Sequence, residues 1–106
     1  MARAIVKLPS QAKQGEIIEI RTLASHTMET GFRHSDTGKL IPRDIITRFV
    51  CTYNGAEIFS ADLYPAISAN PYLTFSTLAV ESGQLEFKWT GDNGFSVAES
   101  ANITVV

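Results

Sequence analysis

A single cysteine, Cys51, stands in the whole chain. One thiol cannot close an internal disulfide, so a cross-linked scaffold is excluded, and taken alone it suits a reducing compartment. Helical periodicity is almost absent too: apolar residues recur at every second position far more often than at the three- and four-residue spacing of an amphipathic helix. No run approaches the roughly 20 apolar residues that cross a bilayer. The opening "MARAIVKLPS" lacks the apolar stretch of a signal peptide. The expectation is a chain with no membrane span and no export address of its own. Neither charge is in excess: 9 Lys and Arg stand against 11 Asp and Glu, a formal net charge of -2. That balance offers no cationic field to phosphates or to an anionic bilayer, so nucleic acid and membrane are excluded as partners.

What is present is ordinary globular material, 44% hydrophobic and 19% charged over 106 residues. A chain of this size forms one domain, here 1–106, and buries roughly 65% of the surface its unfolded form exposes. Proline and glycine cut it into short segments with the period-two alternation of half-buried strands. "RAIVKL" reads as a first strand ended by Pro9-Ser10, "SQAKQGE" as a turn, and "EIIEIRTLA" as a strand with Ile18 and Ile20 opposed to Glu19 and Arg21. "DIITRFVCTY" sets Phe49, Cys51 and Tyr53 on one face, and Asn54-Gly55 marks a tight hairpin into "EIFSADL".

Pro65 and Pro71 then bracket an irregular connection that could hold one helical turn and cross between sheets. "YLTFSTLAV" and "QLEFKWTG" follow; in the latter Leu85, Phe87 and Trp89 face one way, Glu86 and Lys88 the other. A turn at Asp92-Asn93-Gly94 leads to two closing strands, "FSVAES" and "ANITVV". This pattern predicts an all-β, immunoglobulin-like antiparallel β-sandwich of about seven strands.

Between the second and third long strands lies "SHTMETGFRHSDTGKLIPRD", residues 25–44, with both histidines and one of the two methionines. Loops of that length without structure are uncommon in compact domains. The turn signal "DTGK" predicts instead a long hairpin-like insertion, "METGFRH" against "KLIPRDII", with Pro42 at an edge or a bulge because it has no N–H to donate. Met28, Phe32, Leu40 and Ile41 among Arg33, His34 and Arg43 give this ribbon the composition of a protein interface. The alternative is that the same apolar residues merely cap one end of the sandwich.

Metal and catalytic readings fit less well. His26, His34, Met28 and Cys51 are the ligand types of a blue-copper site, but such sites gather Cys, His and Met near the C-terminal end, and no histidine follows residue 34. Zinc needs three or four ligands, so two histidines and Cys51 fall short unless Glu29 or Asp36 joins them. Ser25 or Cys51 could pair with a histidine, yet no nucleophile elbow or glycine-rich oxyanion loop surrounds either. Cys51 and Trp89 read as core. The expectation is no catalytic residue, no cofactor and no metal. The rival reading is a small metal-binding redox protein using His26, His34 and Cys51.

"SHTMETGFRHSDTGKLIPRDIITRF", followed by "YNG", "ANPYLTF" and "GQLEFKWTGDNG", resembles the SoxZ family of the sulfur-oxidation system over nearly the whole chain. The likeness is carried by His26, Met28-Glu29-x-Gly31-x-Arg33, Gly38, Ile41-Pro42-Arg43, Asn70-Pro71-Tyr72 and Trp89. It implies the non-catalytic subunit of a SoxYZ heterodimer, two immunoglobulin-like sandwiches that carry intermediates of thiosulfate oxidation. In that complex the substrate rides on a cysteine in a Gly-Gly-Cys-Gly-Gly tail of SoxY, which other Sox enzymes visit transiently. This chain ends "ANITVV", and Cys51 is neither terminal nor flanked by glycine. The resemblance also reverses the compartment expectation, to the periplasm, reached by co-export with a signal-bearing SoxY-like partner. The candidate contact residues are His26, Met28, Glu29, Phe32, Arg33, Leu40, Ile41, Pro42 and Arg43.

Overall fold

Where the sequence alternates most cleanly, burial alternates with it. In the computed structural model, which describes residues 4–106, a strand over Gly83–Gly91 buries Leu85, Phe87 and Trp89 and exposes Glu86 and Lys88. Among the described residues eight strands form in chain order: β1 (Ala4–Lys7), β2 (Gln11–Ala12), β3 (Ile17–Ala24), β4 (Ile46–Tyr53), β5 (Ala56–Asp62), β6 (Tyr72–Leu78), β7 (Gly83–Gly91) and β8 (Ser96–Val105). Arg3, expected in the first strand, lies outside the described residues. The strands make two sheets, β1-β3-β6 and β2-β8-β7-β4-β5. The result is the expected all-β, immunoglobulin-like sandwich.

The turn between β4 and β5 has positive φ at both central residues, Asn54 (49°) and Gly55 (85°), as a type I′ hairpin requires. The Pro65 to Pro71 connection does cross between sheets, but it contains a reverse turn, with the Ile67 N–H on the Tyr64 carbonyl, and no helix. Two other expectations are corrected. Gln11–Ala12, read as turn, is β2, paired parallel with Thr104 and Val105. The two closing strands are one, β8, continuous from Ser96 to Val105.

The core is knit by Phe49 of β4, which is fully buried. Its ring lies 5.0 Å from Trp89, 6.0 Å from Phe59 and 6.4 Å from Phe87 in its own sheet, and 5.9 Å from Phe75 across the sandwich. Phe59 and Phe75 stack at 4.4 Å where β5 meets β6. Each such ring buries some 150–250 Å² and gains roughly 0.5–1.5 kcal/mol per favourable pair beyond that burial. Cys51, also fully buried, faces the same interior.

Residues 25–44 leave this core as the expected hairpin-like insertion. Glu29 bridges Asp44 and His34 bridges Leu40, both antiparallel. The molecule is accordingly long, 59 × 22 × 20 Å, with a radius of gyration of 16.3 Å; a compact domain of this length has about 13 Å.

The ribbon's base presses on the end of β7. A methyl group on Gly91 would lie 2.3 Å from the Ile45 carbonyl oxygen and 2.8 Å from the Ile46 Cα, both backbone atoms that cannot swing aside. Gly91→Ala is expected to destabilise the fold by roughly 1–3 kcal/mol in urea unfolding. A midpoint equal to wild type would show that the base does not seat there.

Candidate partner-binding ribbon

The ribbon is made from few backbone bonds. Glu29 and Asp44 exchange N–H groups at 2.8 and 2.9 Å, the Ile41 N–H reaches the Arg33 carbonyl at 2.8 Å, and the turn closes with Ser35 N–H on Lys39 O at 2.8 Å. Between the two bridged pairs the first arm has one residue more than the second, so the ladder is interrupted around residues 30–32 and 41–43. Pro42 sits in that interruption, where no N–H is needed. Gly31, opposite, has φ of +88°, and a Cβ there would meet the Arg43 Cβ at 2.9 Å. Glycine thus serves both the backbone conformation and the close approach of the arms.

The side chains divide into an exposed set and a buried base. Phe32 is 77% exposed and Leu40 58%, and Arg33, His34, Pro42 and Arg43 are exposed with them. Ile41 is half-buried, and Glu29 turns along the ribbon to take Arg33 Nη2 at 2.6 Å. That guanidinium holds the Glu29 carboxyl below the usual range. His26 and Met28 depart from the expectation of surface contacts. Met28 is only 4% exposed, and its Sδ accepts the Ile46 N–H at 3.3 Å. The His26 side chain is 7% exposed, with its ring edge-on to Phe95 at 4.7 Å. The physical reason is a backbone turn: Met28 has φ of 54°, which swings its side chain under the ribbon.

His26 holds that turn. Its Nδ1 accepts the Met28 N–H at 2.9 Å, so in the neutral ring the proton is on Nε2, which lies 3.6 Å from Asp44 Oδ1. Its backbone is clamped by Asn70, whose Oδ1 accepts the His26 N–H at 3.0 Å and whose N–H reaches the His26 carbonyl at 2.7 Å. On the other arm Asp92 takes Arg43 in a two-pronged pair, both contacts 2.9 Å, and accepts the Ile45 N–H at 3.1 Å. Arg43, with the Ile45 N–H, holds the Asp92 carboxyl below the usual carboxylate range, and Asp92 raises Arg43 in turn. Asn70, Asp92 and Phe95 are the base residues that sequence reasoning missed as site residues. Asn70 was visible only in the Asn70-Pro71-Tyr72 run of the family resemblance, and Asp92 only as a turn former beside Asn93 and Gly94.

The ligand types proposed for a metal are not gathered. Cys51 is inside the sandwich on β4, His26 at the ribbon base and His34 further along the ribbon. Among the described residues no three His, Cys, Asp or Glu stand where they could hold a metal ion. Burial pushes the Cys51 thiol up to about 12, the opposite of a reactive thiolate.

Fold and site together define an immunoglobulin-like sandwich protein that presents a pinned ribbon. The chain belongs to the SoxZ family: the family described as sulphur oxidation protein SoxZ matches residues 6–102. No curated protein sequence matches the chain. Among solved structures, the sulfur carrier protein SoxY from Chlorobium limicola f thiosulfatophilum shares the fold at 12% identity and a TM-score of 0.71, over 100% of this chain and 81% of that one. A superoxide reductase (neelaredoxin) from Ignicoccus hospitalis does so at 15% identity and 0.78, over 99% and 81%. A putative superoxide reductase from Thermotoga maritima does so at 14% and 0.75, over 97% and 85%. At these identities the likeness is one of fold.

The Asp92 pair carries a pH signature. A carboxyl whose folded value lies below its unfolded value stabilises fully above about 3.9 and loses that contribution as pH falls through the folded value. Asp92→Asn is therefore expected to lower the Tm at pH 7, and the gap to wild type should narrow below about pH 4. A gap constant from pH 7 to 2 contradicts the pairing. Separately, the folded chain at pH 8 should leave Cys51 unmodified by a thiol reagent until it is unfolded. Reaction at the rate of a free thiol would remove Cys51 from the core.

Proposed function

We propose that this chain is the non-catalytic subunit of a sulfur-substrate carrier complex. It binds a SoxY-like protein whose C-terminal cysteine carries thiosulfate-derived intermediates, and helps present that arm to other Sox enzymes. The family match over residues 6–102 carries this reading, with the fold shared with a SoxY sulfur carrier in support. Cys51 fits it too. A thiol with no exposure cannot be loaded and passed between enzymes, so the sulfur-bearing group must belong to the partner.

The docking surface we assign is the exposed part of the ribbon: Phe32 and Leu40 as apolar anchors, with Arg33, Pro42 and Arg43 around them. Aromatic and aliphatic anchors beside arginine are the residue types that dominate interfaces. Met28 and His26 act from beneath by fixing the ribbon's angle. The complex works in the periplasm, and this subunit reaches it together with a signal-bearing SoxY-like chain.

Light scattering of the chain mixed with a SoxY-like partner should show a one-to-one complex. Phe32→Asp with Leu40→Asp should weaken it roughly tenfold or more without lowering the Tm, because both side chains are exposed. If no complex forms while both chains are folded, the carrier-subunit reading fails; if one forms but the double variant binds normally, only the ribbon assignment does. Stoichiometric iron, copper or zinc retained after dialysis would favour the metal-binding redox alternative.

A further inference from the structure

The outward face of the β1-β3-β6 sheet bears a pattern that the partner ribbon does not use. Along β3 the outward residues are Ile17, Glu19, Arg21 and Leu23, all exposed. Strand register extends each of them into a row across the sheet. Leu23 lies between Ile5 and Tyr72, Arg21 between Lys7 and Thr74, Glu19 beside Ser76, and Ile17 beside Leu78. The end rows are apolar and open to solvent: Ile5 50%, Leu23 37% and Tyr72 59% exposed at one end, Ile17 70% and Leu78 51% at the other. The two middle rows are charged, one basic and one acidic.

The order apolar, basic, acidic, apolar is its own complement under reversal. A two-fold axis lying in the plane of the face and running across the strands, level with residue 20, sets β3 antiparallel over its copy. It then places Leu23 over the partner's Ile17 and Arg21 over the partner's Glu19. The same operation puts Tyr72 over Leu78, and Lys7 lies over the partner's acidic row. A two-fold along the strands would instead stack Glu19 on Glu19 and Arg21 on Arg21. We infer that this face is a self-association surface, and that its occupant is a second copy of this chain docked sheet to sheet across that axis. Such an isologous contact closes on itself as a dimer. Aligned sheet packing at about 10 Å is the ordinary way two such faces meet. The Glu19–Arg21 ion pair within each chain, 2.7 Å and solvent-exposed, becomes half of a four-charge cluster.

β3 and β6 pair over seven residues and β1 adds four beside them, so with strands about 4.8 Å apart the face fits within roughly 14 by 23 Å and fills only part of it. That is small for a stable complex, so association is expected in the micromolar range or weaker. Sedimentation velocity of the isolated full-length chain over roughly 5 to 500 µM covers that range. Wild type should move from monomer to dimer. Glu19→Arg leaves only cations in the middle rows and Arg21→Glu sets acid against acid, so each variant alone should associate roughly tenfold or more weakly. An equimolar mixture of the two should recover dimer, as the heterodimer of one with the other, and that recovery also shows that both variants are folded. The inference is overturned by a wild type that stays monomeric, by single variants that dimerise normally, or by a mixture that does not recover. It is equally overturned if the variants lose only a SoxY-like partner, which would assign the face to the heterodimer.

Discussion

The protein beyond its sandwich hangs from the carboxylate of Asp92. A two-stranded ribbon standing alone in water is marginal at best, and this one has an interrupted ladder, so its base must be fixed from outside. Asp92 does this with one oxygen on Arg43 Nη2 and the other shared between Arg43 Nε and the Ile45 N–H. Its own N–H returns to the Ile45 carbonyl at 2.9 Å. The second arm is thereby bound to the turn between β7 and β8. The first arm is bound through His26, Asn70 and Met28. Charge pairs with exposed partners are usually weak; this one gains from a two-pronged geometry and a third hydrogen bond from backbone.

That arrangement explains why the residues that look most chemical are structural. His26 spends Nδ1 on a backbone N–H, and Met28 spends its sulfur in the same way. Both serve to set the ribbon's exit angle, while the apolar side chains of Phe32 and Leu40 are left in solvent. A carrier subunit needs this division. Its apolar anchors are left open to a partner, while the base fixes where the ribbon leaves the sandwich.

Much of the sandwich was legible because most of its longer strands write their burial directly into period two. Phe49, Cys51 and Tyr53 on β4 and Leu85, Phe87 and Trp89 on β7 are the plainest cases, and Asn54-Gly55 named its own turn. What was not legible depended on distant partners. Gln11–Ala12 is too short to alternate and becomes a strand only by pairing with Thr104 and Val105. The Glu99-Ser100-Ala101 stretch of β8 lacks apolar residues large enough to mark it as continuous strand. At the ribbon, the turn and the antiparallel arms followed from Asp36 to Lys39. The burial of His26 and Met28 did not, since it rests on a left-handed backbone at Met28 and on contacts with Asn70 and Phe95, more than forty residues away.

Amide hydrogen exchange, followed by mass spectrometry on the chain alone and then with a SoxY-like partner, reads the ribbon's part in binding most directly. Peptides covering residues 29–44 should exchange readily in the isolated chain and become strongly protected in the complex, while the peptides of β4 and β7 stay slow in both. Protection gained elsewhere, with residues 29–44 exchanging as fast in the complex as alone, would contradict it.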